Sequence, residues 1–512
     1  MASVSIAKLI SQGVEGETYR IAGTVQSSDL ASGLTVRDGS TVDSVTIDGL
    51  QPTDDFAPWT TLEATGQLKS LNPARLRLSQ YRIHGVSDKG NPLEQGEEQI
   101  LQHPHLRLRM PWQAVLMRFR SATVASISDY FNNHPDGPFH QVHHPMLTHT
   151  DCEGGAEVFP VLRQSGKKAG VLQQDDYFGG RRYLSVTAAI HGEAFTMGLD
   201  RVWMLAPSFR AERVSDNRHL AEFWMLEISM NYIEALDPLF DLCEDFARGL
   251  VERLRRSAAA KELMVMAGQE HTTSVSADEL QRRWDLLCQG SRDRTLCRAL
   301  GSSELFDKTA TLADPLTRLQ PNWPRISHAE ATKLMQDAVR EGRASFQEAP
   351  GTEIDFSSEH ELFLLDHFKR PIFVTHYPTK IRLFSALQSP APEIGQPQTT
   401  ESIDLLLPGV AEVFSGGLRE HRLDKLVDVM RAKYFFGECE AAKGAAKGAD
   451  YPFLKEGESL DSLQWFADLR RWGTTPHGGF GIGFERLLVY LTGAKTTKEV
   501  IAFPRYYQGC FA

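Results

Sequence analysis

The 512-residue sequence predicts an α+β chain in which a small N-terminal β-barrel precedes a larger domain of mixed helices and strands. Three observations lead there. Short β-rich pieces separated by turn residues fill the stretch from Thr18 to Val86, apolar residues recur at helical spacing from Pro111 onward, and strand-like runs return after Arg370. At 41% hydrophobic and 24% charged residues, the composition is that of a globular protein long enough for two or three domains.

The first pieces are Tyr19-Arg-Ile-Ala-Gly-Thr-Val, Leu34-Thr-Val-Arg, Ser44-Val-Thr-Ile, Thr61-Leu-Glu-Ala-Thr-Gly and Arg75-Leu-Arg-Leu. Gly, Asp, Ser, Pro and Asn between them supply the turns. Five short strands suggest an OB-type barrel over residues 1–95. Residues 96–110 read as a linker, within a polar run that starts at Ser87. The larger domain occupies 111–512. Val115, Leu116, Phe119, Ile127, Tyr130 and Phe131 fall on one helical face, which Pro135 and Pro138 close. A helical, charge-rich stretch runs from Asp237 to Asn322, and strands are expected at Pro371-Ile-Phe-Val-Thr, Glu412-Val-Phe and Phe480-Gly-Ile-Gly-Phe. The small-residue run from Ala441 reads as a surface insertion.

The formal net charge of -11 argues against a general nucleic-acid binder, because Lys and Arg on phosphates supply most non-specific affinity. No apolar run approaches the roughly 18 residues of a membrane span. The six cysteines lack CxxC or CxxH spacing, so they read as reduced thiols rather than a zinc site or a disulfide framework. The first twenty residues have neither a basic start nor an apolar core, and a cytoplasmic location is the expectation.

Three segments carry chemistry. In Ser208-Phe-Arg-Ala-Glu-Arg-Val-Ser-Asp-Asn-Arg-His-Leu-Ala-Glu-Phe-Trp-Met-Leu-Glu, Arg210, Arg218 and His219 flank a polar turn between apolar runs, which places cations over a hairpin. By itself such a hairpin is more often a salt-bridged surface than an anion site. Gly478-Gly-Phe-Gly-Ile-Gly-Phe-Glu-Arg is a glycine-rich strand running into a helix that starts at Arg486. It lacks the βαβ context of a dinucleotide fingerprint. Asp404-Leu-Leu-Leu-Pro-Gly-Val-Ala-Glu412 sets two carboxylates across a Pro-Gly turn, a pair able to hold Mg²⁺ against phosphate oxygens or simply to lie at the surface.

Together the three segments resemble the class II aminoacyl-tRNA synthetases. The hairpin resembles their motif 2 and the Gly-rich strand with Glu485-Arg486 their motif 3; Pro145, after a long helix, is similar to the motif 1 proline at a dimer interface. Arg218-His-Leu-Ala-Glu-Phe-Trp-Met, Asp151-Cys-Glu-Gly-Gly-Ala-Glu-Val-Phe, Phe356-Ser-Ser-Glu-His-Glu, Tyr377-Pro and the run from Leu469 resemble asparaginyl-tRNA synthetases of the fungal organellar type, over about Pro104 to Arg505.

The resemblance implies an antiparallel sheet flanked by helices, ATP and Mg²⁺ as co-reactants, a homodimer, and adenylation of asparagine or a close relative. It places Arg210 and Arg486 as the catalytic cations, on the α-phosphate and the γ-phosphate. Glu212, Arg218 and His219 assist at ATP, Phe223 stacks on adenine, and Asp404 and Glu412 carry the metal. Glu153 lies at the substrate amino group, Ala189 in the loop lining the amino-acid pocket, and Glu227 and Arg419 at the substrate side chain. A carboxylate accepting from an amide NH₂ beside a guanidinium donating to its carbonyl suits Asn.

The sequence also departs from the family. Thr187-Ala-Ala-Ile stands where the family shows Ser-Gly-Gln-Leu, so the amide at Ala189 is gone, and Ala411 and Ser415 carry side chains where the family keeps glycine. In the barrel, Leu34 stands near an expected stacking aromatic and Thr46 near an expected glutamine. Met1 to Gln95 holds eight Lys and Arg against eleven Asp and Glu. These departures predict an eroded anticodon site and an acyl acceptor other than tRNA, a small-molecule amine being the chemically easy choice. The alternatives are a working enzyme that charges tRNA(Asn) with a diverged barrel, and a silent binding protein on the same scaffold.

Overall fold

The computed structural model describes residues 2–29, 33–51, 56–94, 100, 102–149, 157–168, 171–175, 177–178, 180–269, 275–288, 323–391, 395–433, 451–455 and 458–510. Five strands, β1 (Thr18–Asp29), β2 (Gly33–Arg37), β3 (Val45–Asp48), β4 (Thr61–Leu71) and β5 (Ala74–Gly85), close into a barrel in the order β1-β2-β3-β5-β4. Period-2 alternation does this. Leu62, Ala64 and Leu68 of β4 point inward with Ile21, Val25, Val36, Val45, Ile47 and Leu76, and the helix Ile6–Gln12 plugs one end with Ile6 and Leu9. Leu34 is one of the inward residues, 1% exposed, so it does not occupy the outer position of a stacking aromatic. Thr35 and Thr46, which pair across β2 and β3, are the outward neighbours there.

The 96–110 stretch is not extended throughout. Pro104–Arg107 forms a helical turn, and buried Arg107 donates to the Lys498 and Ile501 carbonyls near the chain end. Burial lowers its pKa to about 10. The expected long helix runs Pro111–Asn132, starting with proline in its first turn, where a missing N–H costs nothing.

Beyond it, β6 is His140–Gln141, and two short ribbons follow, β7 (Leu147–Thr148) with β10 (Tyr183–Leu184) and β8 (Arg163–Lys168) with β9 (Val171–Asp175). The main sheet adds β11 (Arg201–Phe209), β12 (Glu222–Asn231), β13 (Arg325–Ser327), β14 (Ile372–Thr375), β15 (Ser402–Leu407), β16 (Ala411–Arg419) and β17 (His477–Gly483). Its order is β13-β14-β15-β16-β17-β12-β11-β6. The six inner strands are antiparallel, as expected; β13 and β6 join the two edges in parallel. Helices Pro111–Asn132, Asp237–Leu254, Ala258–Met266 and Ala277–Cys288 supply the apolar faces, among them Phe119, Phe246, Leu250 and Trp284, that cover the sheet together with Phe414 and Phe480. Among the described residues no helix is long and apolar enough to cross a membrane. Cys243, Cys288 and Cys510 are free thiols; Cys152, Cys297, Cys439 and the run from Ala441 lie outside the described residues.

Candidate functional site

The site is a cavity of about 410 Å³ on the sheet, bounded by β12, β16 and β17, by the loop that ends the β11–β12 hairpin, and by the segment Ile381–Ala386. Its floor is flat because the strands carry glycine. A methyl group at Gly416 would sit 2.3 Å from the Gly479 carbonyl oxygen, and one at Gly481 would meet the Met225 Cε at 2.8 Å. The glycines of β16 and β17 thus serve close strand packing first, and only then an open floor.

One end of the cavity is polar and buried. Glu227 on β12 is 4% exposed, and its Oε1 accepts from the Thr187 hydroxyl at 2.5 Å and the Ala188 N–H at 2.9 Å. The Thr187 oxygen in turn accepts from the Ala189 N–H at 3.1 Å. Burial raises the Glu227 pKa above the ordinary value, against the pull of Thr187, Ala188, Arg419 and Arg210. Arg419, at the end of β16, is held from behind by Glu193, whose Oε1 lies 3.6 Å from the Arg419 Nε. Glu193 also takes Arg470 and, at 3.1 Å, His477 Nε2. These cations overcome its full burial and hold its pKa down at about 2. Ala189, at the start of helix Ala189–Leu199, lines the same end with only a methyl group.

The other end is a lattice of alternating charge. Arg210 follows the last residue of β11, its guanidinium 5.5 Å from the Phe223 ring centre on β12. In the connecting loop the Arg218 and His219 N–H groups both donate to Asp216, and the His219 ring meets it at 2.6 Å. Those bonds hold the Asp216 carboxyl low despite its partial burial. Arg218 reaches the Ser358 hydroxyl at 2.5 Å and the Glu361 carboxylate at 3.5 Å. Arg486, at the head of helix Phe484–Thr492, contacts the Glu412 carbonyl at 3.2 Å and its carboxylate at 3.3 Å. Glu485 turns away and anchors the helix by accepting from Arg120 at 2.8 Å and the Trp224 N–H at 2.9 Å.

Arg210, Glu212, Arg218, His219, Phe223, Glu412 and Arg486 therefore share one end of a cavity whose other end holds Ala189, Glu227 and Arg419. Asp404 lies deeper than Glu412, the other acid of the expected metal pair. It is buried beneath the cavity wall, where Arg382 takes its Oδ2, while Oδ1 has no hydrogen-bond partner among the described residues. The pairing works because Arg382 lies flat against the buried Tyr377 ring, 3.6 Å from its centre. Burial, with the neighbouring Glu412, still raises the Asp404 pKa to about 6. Glu153 lies outside the described residues.

Sequence reasoning gave no role to Arg382, Glu361, Thr187 or Glu193. Glu361 accepts from the Glu412 N–H at 3.3 Å, and burial followed by repulsion from Glu412 raises its pKa to about 8. Its place in the run Phe356-Ser-Ser-Glu-His-Glu361 was the available cue. Arg382 follows Tyr377-Pro by four residues in a loop, where periodicity carries no information. At Ala411 the backbone adopts φ 72°, a left-handed conformation natural to glycine, so the side chain there is carried under strain.

A cavity with phosphate-sized cations at one end and an amide-reading pair at the other, laid on an antiparallel sheet, is the architecture of class II amino-acid-activating enzymes. Residues 96–507 match the family described as tRNA synthetases class II (D, K and N), and the chain belongs to that family. Within it, the chain is an asparaginyl-tRNA synthetase-like ligase that binds ATP. It is 29% identical to the asparaginyl-tRNA synthetase of Mus musculus, spanning 98% of this chain and 92% of the relative. The asparagine--tRNA ligase of Pelobacter propionicus is also 29% identical, over 98% of both chains. The mitochondrial asparagine--tRNA ligase of Schizosaccharomyces pombe is 30% identical over 87% of this chain and 83% of its own. The fold superposes on the asparaginyl-tRNA synthetase from Pyrococcus horikoshii, crystallised with asparaginyl-adenylate, with a TM-score of 0.74 at 22% identity and full coverage of both chains. None of these relatives supports the small-molecule amine expected from the sequence; the tRNA alternative fits them better.

Proposed function

We propose that the protein activates asparagine with ATP and transfers it to tRNA(Asn). The observation that carries this reading is the Glu227–Arg419 pair. Both donors onto Glu227 go to Oε1, which leaves Oε2 to accept from a substrate NH₂ while Arg419 donates to the adjacent carbonyl. Aspartate would set a second carboxylate against Glu227, a like-charge contact in a buried site.

With the side chain so placed, the substrate carboxylate points toward Arg210. Its guanidinium neutralises the carboxylate and the α-phosphate together, so that one carboxylate oxygen attacks phosphorus in line and the bond to pyrophosphate breaks. Phe223 offers a face to adenine, Arg486 holds the far phosphates, and Arg218, His219 and Glu212 complete the rim. Glu153 is assigned to the substrate amino group by resemblance alone. A hydroxyl at the tRNA terminus then attacks the acyl carbon and AMP leaves.

The carboxylates fit a divalent cation. Asp404 is buried with Arg382 on only one of its oxygens, and Glu412 raises the proton affinity of both Asp404 and Glu361, a concentration of negative charge that a cation relieves. Mg²⁺ needs only one or two such ligands when phosphates and water supply the rest. Glu412 and Asp404 are the residues to hold it, with Glu361 behind them, and the ion would screen the phosphate charge. Arg486 and Arg382 pair with these same carboxylates.

The exposed edge strand His140–Gln141 and the helix before Pro145 form the surface for a homodimer, and the free thiols suit a cytoplasmic, reducing setting. Sedimentation of the purified protein tests the first. Asparagine-dependent ATP–pyrophosphate exchange, followed by charging of tRNA(Asn), tests the function; exchange without charging would refute the second half-reaction.

A further inference from the structure

The carboxylate behind Arg419 fixes the ionisation of a buried histidine. His477, the first residue of β17, pairs across the sheet with Arg419 on β16 and is 1% exposed. Its Nδ1 lies 2.7 Å from the Thr475 carbonyl oxygen and its Nε2 3.1 Å from Glu193 Oε2. A carbonyl oxygen can only accept, so Nδ1 carries a proton. Glu193 also only accepts: against its full burial, Arg470, His477 and Arg419 hold its pKa at about 2. Nε2 therefore carries a proton as well, and the ring that makes both bonds is an imidazolium. Arg470, on helix Gln464–Arg471, shares Glu193 Oε2 with His477. That leaves Oε1, buried and without a hydrogen bond among the described residues, facing the Arg419 Nε at 3.6 Å. Beyond the end of β16, His421 lies within range of the His477 charge, and Glu420 is held on both oxygens by Arg422, at 2.8 Å each.

We propose that His477, as an imidazolium, is a positioning residue for asparagine: through Glu193 it aims Arg419 at the amide carbonyl of the substrate. This inference rests on the asparagine reading of the Glu227–Arg419 pair and adds what aims the guanidinium. Loss of the proton sets an acceptor against an acceptor, at Thr475 or at Glu193, whichever tautomer forms. With the remaining proton on Nδ1, the bare Nε2 repels Oε2, and the Glu193 carboxylate turns away from Arg419.

The test measures the KM for asparagine and for ATP by pyrophosphate exchange on the full chain, from about pH 6 to about pH 9. His477→Gln places an NH₂ where Nε2 stands and keeps a donor to Glu193 without a titratable proton. His477→Asn places one near Nδ1 and keeps only the bond to Thr475. A hydrogen bond to a charged acceptor is worth about tenfold or more, so His477→Asn should raise the KM for asparagine about tenfold at every pH, with the KM for ATP within about twofold. The wild-type KM for asparagine should rise toward alkaline pH more steeply than that of His477→Gln. Equal losses in the two variants, or a KM for ATP that rises with that for asparagine, would show that His477 only supports the fold. The same pH slope in the wild type and His477→Gln would show that its proton does not aim Arg419. Any of these overturns the inference while asparagine activation stands. Failure of the wild-type protein to show asparagine-dependent exchange overturns the asparagine reading itself, and the inference with it.

Discussion

Replacing Glu227 with glutamine exchanges one oxygen for an NH₂ group and removes a buried charge, and the geometry dictates which oxygen is lost. The Thr187 hydroxyl and the Ala188 N–H both donate to Oε1, and the Ala188 N–H cannot reverse, because a backbone N–H only donates. The glutamine carbonyl must therefore take the Oε1 position, and its NH₂ the Oε2 position toward the substrate. There it meets the asparagine NH₂, donor against donor. Losing a hydrogen bond to a charged acceptor and leaving buried donors unpaired costs about 2 to 3 kcal/mol, or roughly 30- to 150-fold in kcat/KM. Aspartate gains by the same change, since its carboxylate accepts from both the new NH₂ and Arg419. Pyrophosphate exchange with each amino acid measures the two effects. An unchanged kcat/KM for asparagine, with aspartate still excluded, would refute the assignment of Glu227 as the amide acceptor.

Other perturbations separate the remaining parts of the site. Arg210→Ala and Arg486→Ala should each abolish exchange while circular dichroism shows an intact fold. Arg382→Ala strands the buried Asp404 carboxylate and should cost about 3 to 5 kcal/mol in urea unfolding; a loss under 1 kcal/mol would mean that the pair does not hold the site together. Ala411→Gly relieves the left-handed backbone at φ 72° and should stabilise by about 1 kcal/mol, read from the urea midpoint. Stability should also depend on pH through two opposed carboxylates. Glu361 keeps its proton to about 8 when folded but loses it near 4.5 when unfolded, so the unfolded state binds fewer protons and stability falls as pH rises through that window. Glu193, held at about 2, has the reverse sign: its stabilisation is present above 4.5 and is lost as pH falls toward 2. Urea midpoints across pH should show Glu361→Gln flattening only the fall between about 4.5 and about 8.

What was legible in the sequence follows from locality. Alternation and turn residues carried the barrel, and helical spacing from Val115 to Phe131 carried the long helix, because both patterns are short-range. The hairpin cations and the Gly-rich strand stood out because each lies within one continuous run of sequence; their adjacency as β12 and β17 is long-range. The Arg382 partner of Asp404 was not legible, because it arrives from a loop 22 residues earlier and is fixed by tertiary packing on Tyr377. Leu34 was misread because a count of positions does not say which face a strand residue occupies.

The central claim is that one cavity activates asparagine and that the product goes to tRNA. The most direct test is amino-acid-dependent pyrophosphate exchange over the twenty amino acids, followed in the same preparation by charging of tRNA(Asn) with the best substrate. The account predicts exchange strongest with asparagine and saturable charging. Exchange led by another amino acid would contradict the Glu227–Arg419 reading, and asparagine exchange without charging would contradict transfer to tRNA.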